Sequence, residues 1–437
     1  MSAPKPIFLL IVSFFIWFVA YLSIPATYIK LGDAIVFSVI ILMLYNIAFI
    51  LGTVGVKTAN KGKSDFTKRK KRQLVFILFT IGFFGVLIKI YQRFFIQKIY
   101  FAEDLVRTRI DLMSSELSSG FLGVISALSY PFATICFLLC ILWYKELKLR
   151  EFIVIVLMGL FPIYDALLTE SRLIIVVIII MLIFTLLNSN LFKKIVIIKL
   201  HKIILFKVPN VFFKRKTLIV LGILSIVFIS FSVKVMNNRL STFAYRDTLR
   251  VWEIYHETKI DDDFKEEVTS SKALDKNKLI GLYSLKHYLA HSVFEYTRLL
   301  NHLEYTTGYY YGGFQLYVYF KVLKALKINI PSFSQMSKIT YKEAVYTTFW
   351  GPFYIDFGIF GILISFFLGR FSKQKYLNAK NGSEGDILMY SFVGVVILAS
   401  FFVNFLMGAN IYFLNAILIT IFLFKYWPNK LIFSNKE

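Results

Sequence analysis

Long apolar runs alternate with short polar or basic segments along almost the whole chain. Runs of about 18 or more apolar residues are typical of helices that cross a bilayer. They occur at about 7–25, 32–56, 73–90, 121–143, 152–169, 172–188, 217–235, 352–369, 386–405 and 409–426. The pattern predicts an all-α polytopic integral membrane protein with about ten transmembrane helices. Because this number is even, both termini are expected on the same side of the membrane.

The charged residues predict which side that is. The net charge is +24, and the basic side chains gather between the spans, chiefly in 57–73 and 192–216. Cytoplasmic loops carry an excess of Lys and Arg, so we expect both blocks and both termini to be cytoplasmic, with 192–216 lying flat on the inner leaflet. The membrane topology thus accounts for the positive charge. A nucleic-acid-binding protein would carry its basic side chains on a folded soluble domain, and the sequence shows none.

This orientation divides the chain into three parts. Residues 1–235 hold spans one to seven, the cytoplasmic loops 57–73 and 192–216, and an outward loop at 91–120. Residues 236–351 form a large outward loop, expected to be helical, that carries the candidate active site, and 352–437 hold spans eight to ten. Inside the large loop, the stretch 259–278 is rich in Lys, Asp and Glu and predicts a solvated loop tip.

The eighth predicted span contains a carboxylate, Asp356. An ionised side chain at the centre of a bilayer costs on the order of 3 kcal/mol. Arg370 is expected to be cytoplasmic, so the span runs inward from a start at Gly351 and Pro352. Asp356 is then expected about one turn inside the helix, where the macrodipole favours a negative charge. Asp356 has three alternative roles: it caps the helix, it pairs with an arginine of the outer loop, or it contacts the substrate directly.

The same span presents small residues at a spacing of four. Gly361, Ser365 and Gly369 lie on one face of the predicted helix. Such a face allows two helix backbones to approach closely in a membrane. We therefore expect it to pack against another span.

Arginines collect just after the seventh span. Arg239, Arg246 and Arg250 are seven and four residues apart, within about 40° of one another on a helix. Guanidinium groups bind phosphate oxygens bidentately, so the stripe predicts an anion site, while lipid headgroups or acids such as Asp261 are the alternative partners. Arg172, at the outer end of the sixth span, is a further candidate, unless it only extends to the interface.

A second stripe lies in the large loop. His287, His291, Arg298 and His302 share one helical face, with Phe294 among them. A histidine near an arginine suits a general base beside an anionic leaving group. Two histidines four residues apart do not complete a zinc set without a further ligand, so no metal is expected.

Aromatic residues gather at 306–320. This segment, TTGYYYGGFQLYVYF, contains Tyr309 and Tyr310. Such rings stack on sugar faces or form an interfacial belt. Both interpretations stay open.

Several of these segments resemble the Wzy-type polymerases of bacterial oligosaccharide repeat units. The resemblance rests on ESRLIIVVIIIMLIF, on HYLAHSVFEYTRLLNHLEYTTGYYYGG and above all on VYTTFWGPFYIDFGIFG. It implies a GT-C-like helical fold in the bacterial inner (cytoplasmic) membrane with a periplasmic active face. The activity it implies is a glycosyltransferase that joins undecaprenyl-diphosphate-linked oligosaccharides into O-antigen or capsular polysaccharide, without nucleotide sugar, cofactor or required metal.

The resemblance also implies partners and alternatives. Beyond the lipid-linked oligosaccharide and membrane lipid, a chain-length regulator and a flippase of the same pathway are expected partners, and nucleic acid is not. The candidate roles are His291 or Asp356 as the base, Arg172, Arg239, Arg246, Arg250 and Arg298 for the diphosphate, and Tyr309 and Tyr310 for the glycan. An O-antigen ligase uses the same donor, and a flippase for the same lipid is the non-enzymatic alternative.

Overall fold

Helices make up most of the described chain. The computed structural model describes residues 3–57, 67–99, 121–169, 173–189, 195–200, 203–209, 230, 248–303, 310–325, 327–331, 336–342 and 345–426. Its α-helices, in chain order, are α1 (Pro6–Ser23), α2 (Ile35–Thr53), α3 (Lys68–Tyr91), α4 (Phe121–Ser129), α5 (Pro131–Leu142), α6 (Leu149–Gly159), α7 (Phe161–Leu168), α8 (Leu173–Asn188), α9 (Thr248–His256), α10 (Asp262–Ser270), α11 (Ala273–His302), α12 (Tyr317–Ala325), α13 (Trp350–Phe357), α14 (Gly361–Lys380), α15 (Glu384–Leu398) and α16 (Ile411–Tyr426).

Four short strands in the part of the chain that the structure describes depart from the all-α prediction. They are β1 (Ala26–Tyr28), β2 (Ile195–Leu200), β3 (Ile203–Pro209) and β4 (Thr258–Ile260). The strands β1 and β4 pair in antiparallel register, and β2 pairs with β3 in the same way. The second pair occupies most of the basic segment 192–216, where runs of β-branched Ile and Val residues favour strands.

Among the described residues, six helical segments are long and apolar enough to cross a membrane. They are Pro6–Ser23, Ile35–Thr53, Lys68–Ile96, Leu122–Leu142, Leu149–Leu168 and Trp350–Lys380. Two shorter apolar helices, Leu173–Asn188 and Ile411–Tyr426, cover the predicted sixth and tenth spans. The chain is therefore a mostly helical protein with membrane-spanning character. The predicted seventh span, 217–235, lies outside the described residues except for position 230.

The predicted span at 386–405 is shorter than expected. Its helix, α15, ends at Leu398 and turns at Ala399. Beyond that turn, the side chain of Asn404 is buried and bonds to residues of other segments, as described below. A hydrophobic run does not reveal such an exit from the helix, because the residues after it are also largely apolar.

Polar contacts define two ends of the helix bundle. At one end, Glu384 at the start of α15 lies 3.4 Å from Lys71 and accepts a hydrogen bond from Trp143. The Lys375–Asp386 ion pair, at 2.7 Å, joins α14 to α15 at this same end, which we call the basic end.

The opposite end carries the large loop. Lys286 of α11 donates to the backbone carbonyl of Ser23 at the end of α1, at 2.9 Å. Asn301 of α11 accepts from the backbone of Asp33, just before α2, at 3.2 Å. The large loop thus contacts the end of α1 and the segment just before α2.

The predicted small-residue face is confirmed. A methyl group added at Gly369 would lie 2.0 Å from the carbonyl oxygen of Phe49 on α2, and one at Gly52 would lie 1.9 Å from that of Phe366 on α14. Ser365 donates to the carbonyl of Tyr45 at 2.7 Å. α2 and α14 therefore pack backbone to backbone, as small residues allow.

A compact unit forms much of the large loop, and we call it the module: α9, β4, α10 and α11, together with β1. Its core includes Trp252, Ile260, Val268 and Tyr283. Residues Ile260 and Val268 fall in 259–278, which forms β4, α10 and the start of α11, so the prediction of a loop tip is wrong there, although the charged side chains of the stretch are largely exposed, as predicted. One apolar residue per turn is enough to seat α10 on α11, although the charged residues dominate the composition.

Candidate functional site

Three histidines meet inside the module. His287 and His291, one turn apart on α11, stack with ring centroids 5.1 Å apart and planes 7° from parallel. His256, at the end of α9, lies 4.4 Å from His287 and 5.8 Å from His291. The predicted stripe on α11 is thus correct as a helical face, but it faces α9, with His287 and His291 buried.

Burial keeps the histidine rings neutral at pH 7. It lowers the pKa of His291 to about 4, and it lowers the pKa of His287 as well, in both cases because charging a buried ring loses solvation. Nδ1 of His291 lies 2.9 Å from the carbonyl oxygen of His287. A carbonyl only accepts hydrogen bonds, so Nδ1 carries the proton and Nε2 keeps the lone pair that a base needs.

Arg298 ties the module together. One of its terminal nitrogens donates to the carbonyl of His256 at 2.9 Å, and the other donates to the carbonyls of Ile29 at 2.6 Å and Glu257 at 2.8 Å. Its side chain is 1% exposed, and it also pairs with the carboxylate of Glu295. The guanidinium thus joins α11 to the end of α9 and to the segments that lead from β1 and into β4.

The charges around Arg298 nearly balance. Glu257 lies 3.3 Å from Arg298, 3.1 Å from Lys342 and 3.5 Å from Lys30, and Glu295 lies 3.3 Å from Lys342. Buried charges are tolerated when they are paired and hydrogen-bonded in this way. The predicted role of Arg298 in binding a diphosphate stays a prediction, but protein acceptors already occupy both of its terminal nitrogens.

Asp356 holds a neighbouring loop. Its two carboxylate oxygens accept from the backbone N–H groups of Phe314 at 2.9 Å and Gln315 at 3.0 Å, and its side chain is fully buried. The backbone carbonyl of Asp356 accepts in turn from the N–H of Tyr311 at 3.3 Å. We call this set of contacts the Asp356 clasp. Gly312 has a φ of +95°, a conformation that glycine adopts readily, and it lets the chain turn so that the two N–H groups converge.

The expected location of Asp356 near a helix N-terminus is wrong. α13 begins at Trp350 and ends at Phe357, so Asp356 lies in its last turn, where the macrodipole disfavours a carboxylate. Gly358, at a φ of +52°, breaks the helix before α14 begins. The backbone N–H groups of the loop, and not a helix terminus, compensate the negative charge.

A polar side-chain pair adjoins the clasp. Asn404 donates to the side-chain oxygen of Gln315 at 3.1 Å, and both residues are buried. Asn404 also lies 3.4 Å from the carbonyl of Phe349, just before α13. Ser292 of α11 donates to the carbonyl of Phe401 at 2.6 Å. The module, the loop at 310–316, α13 and the turn after α15 therefore meet at one end of the bundle.

The other predicted site residues divide into two groups. Arg172, Arg239, Arg246 and Tyr309 lie outside the described residues. Arg250 is exposed on the first turn of α9, and Tyr310 is half-buried beside the clasp. The structure thus brings Tyr310 close to Asp356, and it places His291 and Arg298 in the module, which contacts the turn after α15 through Ser292.

Several residues of this junction carry no signal in the sequence. Glu257, Lys342, Gln315 and Asn404 are distant from one another along the chain and belong to no recognisable motif. Glu295 had a local signal, since it stands three residues before Arg298 on the same helix. Comparisons with protein-family models, with curated proteins and with solved structures find no match.

Proposed function

We propose that this chain is a membrane glycosyltransferase that polymerises undecaprenyl-diphosphate-linked oligosaccharide repeat units into O-antigen or capsular polysaccharide. The observation that carries the proposal is the Asp356 clasp. Two of the segments that resemble the Wzy-type polymerases, TTGYYYGG and VYTTFWGPFYIDFG, lie about forty residues apart in the chain, and the clasp bonds the one to the residues directly after the other. A common function for the two segments explains why the Asp356 clasp connects them.

In this proposal the module end of the bundle faces the periplasm of a bacterial inner membrane. The large loop then lies on the side where lipid-linked units are polymerised, and the basic end lies on the cytoplasmic side, as positively charged loops favour. Tyr310 and its neighbour Tyr311, which is 81% exposed, offer ring faces to the glycan. The isoprenoid part of the substrate lies against the membrane spans, so that its diphosphate reaches this junction.

The reaction transfers the growing glycan to a new repeat unit. A hydroxyl of the acceptor sugar attacks the anomeric carbon of the donor glycan, and the new glycosidic bond forms as the carbon–oxygen bond to the diphosphate breaks. Undecaprenyl diphosphate leaves with the electron pair. Arg172, Arg239, Arg246 and Arg250 stabilise that charge, and this electrostatic contribution is expected to be the largest.

The proton of the attacking hydroxyl goes to Nε2 of His291. This ring is neutral at pH 7, which is the state that a base requires. Its lowered pKa makes it a weak base while the site is empty, but the departing diphosphate favours the charged imidazolium if the two lie close together. Asp356 is the alternative base; since backbone N–H groups bond to both of its oxygens, we assign it the role of positioning the loop at 310–316.

Two histidines of α11 allow a matched test of the base. His291 is buried in the histidine cluster, whereas His302 is exposed at the end of the same helix. The prediction is that His291→Gln shortens or abolishes the glycan ladder in membranes that contain equal amounts of protein, and that His302→Gln leaves it unchanged. Equal ladders for both variants would remove His291 from the reaction.

A second test concerns the exposed arginine. Lysine keeps the charge of Arg250 but loses the bidentate fork. If Arg250 binds the diphosphate, Arg250→Lys is expected to lower the rate roughly tenfold or more at saturating substrate, nearly as much as Arg250→Ala. A normal rate for the lysine variant, together with an alanine defect that added salt reproduces, would indicate attraction to headgroups instead.

A further inference from the structure

An apolar cavity of about 240 Å³ lies inside the helix bundle. Its walls include Leu10 of α1, Ser372 of α14, and Met389, Val396 and Ile397 of α15. Water gains few hydrogen bonds in a cavity of this kind, whereas hydrocarbon gains dispersion contacts with every wall. The natural occupant is therefore an apolar chain.

The cavity extends from the basic half of the bundle to the junction at the module end. Its lining on α15 begins at Met389, about 8 Å from the start of that helix at 1.5 Å per residue, and Phe349 and Ser400 of the junction line its other end. The basic half of the cavity is within reach of an acyl chain whose headgroup lies at the basic end, because the hydrocarbon part of one leaflet is about 15 Å thick. Phe371 and Leu418 line the cavity and are 38% and 48% exposed, so its rim reaches the lipid-facing surface of the bundle.

Three lysines gather where the cavity approaches the basic end. Lys373 directly follows Ser372 of the lining, and Lys5 directly precedes α1, whose Leu10 lies in the wall. The Lys373 ammonium lies 5.2 Å from the centre of the Tyr376 ring. This ring is 5.4 Å from that of Tyr390, whose hydroxyl donates to the carbonyl of Pro4, next to Lys5. Lys380 follows Lys373 by two turns on the same face of α14. Three like charges repel one another, so an isolated protein gains nothing from this arrangement.

The nearby acid is already engaged. The Asp386 carboxylate lies 2.7 Å from Lys375 and accepts from Ser383 at 2.8 Å. In the part of the chain that the structure describes, no carboxylate forms an ion pair with Lys5, Lys373 or Lys380. The cluster therefore offers positive charge directly beside an apolar cavity.

We propose that this cavity and the lysines beside it form a binding site for one anionic phospholipid of the leaflet at the basic end. One acyl chain occupies the cavity, and the phosphate lies against Lys5, Lys373 and Lys380. A basic pocket between transmembrane helices on the cytoplasmic side is a known way to bind anionic headgroups. The isoprenoid chain of the proposed substrate is the competing occupant, because the cavity also reaches the junction; its diphosphate, at the module end, does not contact these lysines. The proposal does not rest on the proposed function.

The test is native mass spectrometry of the purified full chain with phosphatidylglycerol and phosphatidylcholine that have identical acyl chains. Phosphatidylglycerol is expected to bind more tightly. Each lysine near an anionic surface contributes roughly fivefold to affinity, so Lys373→Gln should lose about that factor for phosphatidylglycerol and less for phosphatidylcholine, whose choline cation offsets the phosphate charge. The matched control is Lys68→Gln, an exposed lysine at the start of α3, which should change neither affinity.

A second variant tests the cavity itself. Val396→Trp fills the space that the acyl chain needs and should abolish the binding of phosphatidylglycerol, while an unchanged elution volume on size exclusion shows that the protein is still folded. Equal affinity for the two lipids, or full phosphatidylglycerol binding by the tryptophan variant, would overturn the proposal. The proposal would also be overturned if undecaprenyl phosphate displaced phosphatidylglycerol equally well from the wild type and from Lys373→Gln.

Discussion

Substitution of Arg298 distinguishes most clearly between a structural role and a substrate-binding role for this residue. Its terminal nitrogens donate to three backbone carbonyls and to Glu295, and its side chain is 1% exposed. Arg298→Lys keeps the charge, but a single ammonium cannot reach acceptors on both sides of the guanidinium. Hydrogen bonds to a charged group contribute about 1.5–3 kcal/mol each, so the loss of two should cost about 3–6 kcal/mol. That is a large part of the stability of a typical domain, about 5–15 kcal/mol.

The assay is amide hydrogen exchange of the purified protein in detergent or nanodiscs. Arg298→Lys should raise exchange in the strands β1 and β4 and along α11, because the clamp between them is lost. The control is Arg250→Lys on the exposed first turn of α9, which should leave exchange unchanged, since surface substitutions usually stay within about 0.5 kcal/mol. Normal protection in Arg298→Lys, together with loss of glycan polymerisation, would refute our account of Arg298 and would restore it as a diphosphate ligand.

Three further predictions test the junction, the helix packing and the histidines. Asp356→Asn offers one acceptor where the carboxylate offers two, so the loop at 310–316 should lose protection from exchange, at a cost of about 1.5–3 kcal/mol; unchanged protection would contradict the clasp. Gly369→Ala forces α2 and α14 apart and should destabilise the protein by about 1–3 kcal/mol in thermal unfolding, whereas Leu363→Ala on the lipid-facing side of α14 should cost less, and equal costs would contradict the close packing. The pKa of His291 is lowered to about 4, so between about pH 6.5 and 4 the unfolded state binds a proton that the folded state does not. The stability of the module should therefore fall by up to about 3 kcal/mol as the pH drops through this window. A flat profile of stability against pH would contradict the buried neutral rings.

The sequence predicted features that depend on local periodicity. Apolar runs located most of the helices, and the spacing of four between Gly361, Ser365 and Gly369 found the face that packs against α2. The stripe of His287, His291 and Arg298 is indeed one face of a single helix. These features follow from residues that are neighbours in the chain, which is the information that a pattern contains.

The partners of those residues could not be predicted in the same way. Asp356 is bonded by backbone N–H groups of Phe314 and Gln315, and backbone groups are the same at every position of a sequence. Arg298 finds its acceptors near Ile29 and Glu257, far from it along the chain, so its burial depends on the tertiary fold. The end of α13 at Phe357 also depends on a turn within an apolar run, where length and hydropathy predict a continuous helix.

The most direct test of the proposed polymerase is a single reconstitution. The purified chain is placed in liposomes with an undecaprenyl-diphosphate-linked repeat unit, without nucleotide sugar or other proteins, and the lipid-linked products are separated by size. Our account predicts a ladder of glycans that differ by one repeat unit, which Arg250→Lys shortens and His302→Gln leaves intact. Movement of the intact lipid across the bilayer without any ladder would contradict the account and would favour a flippase.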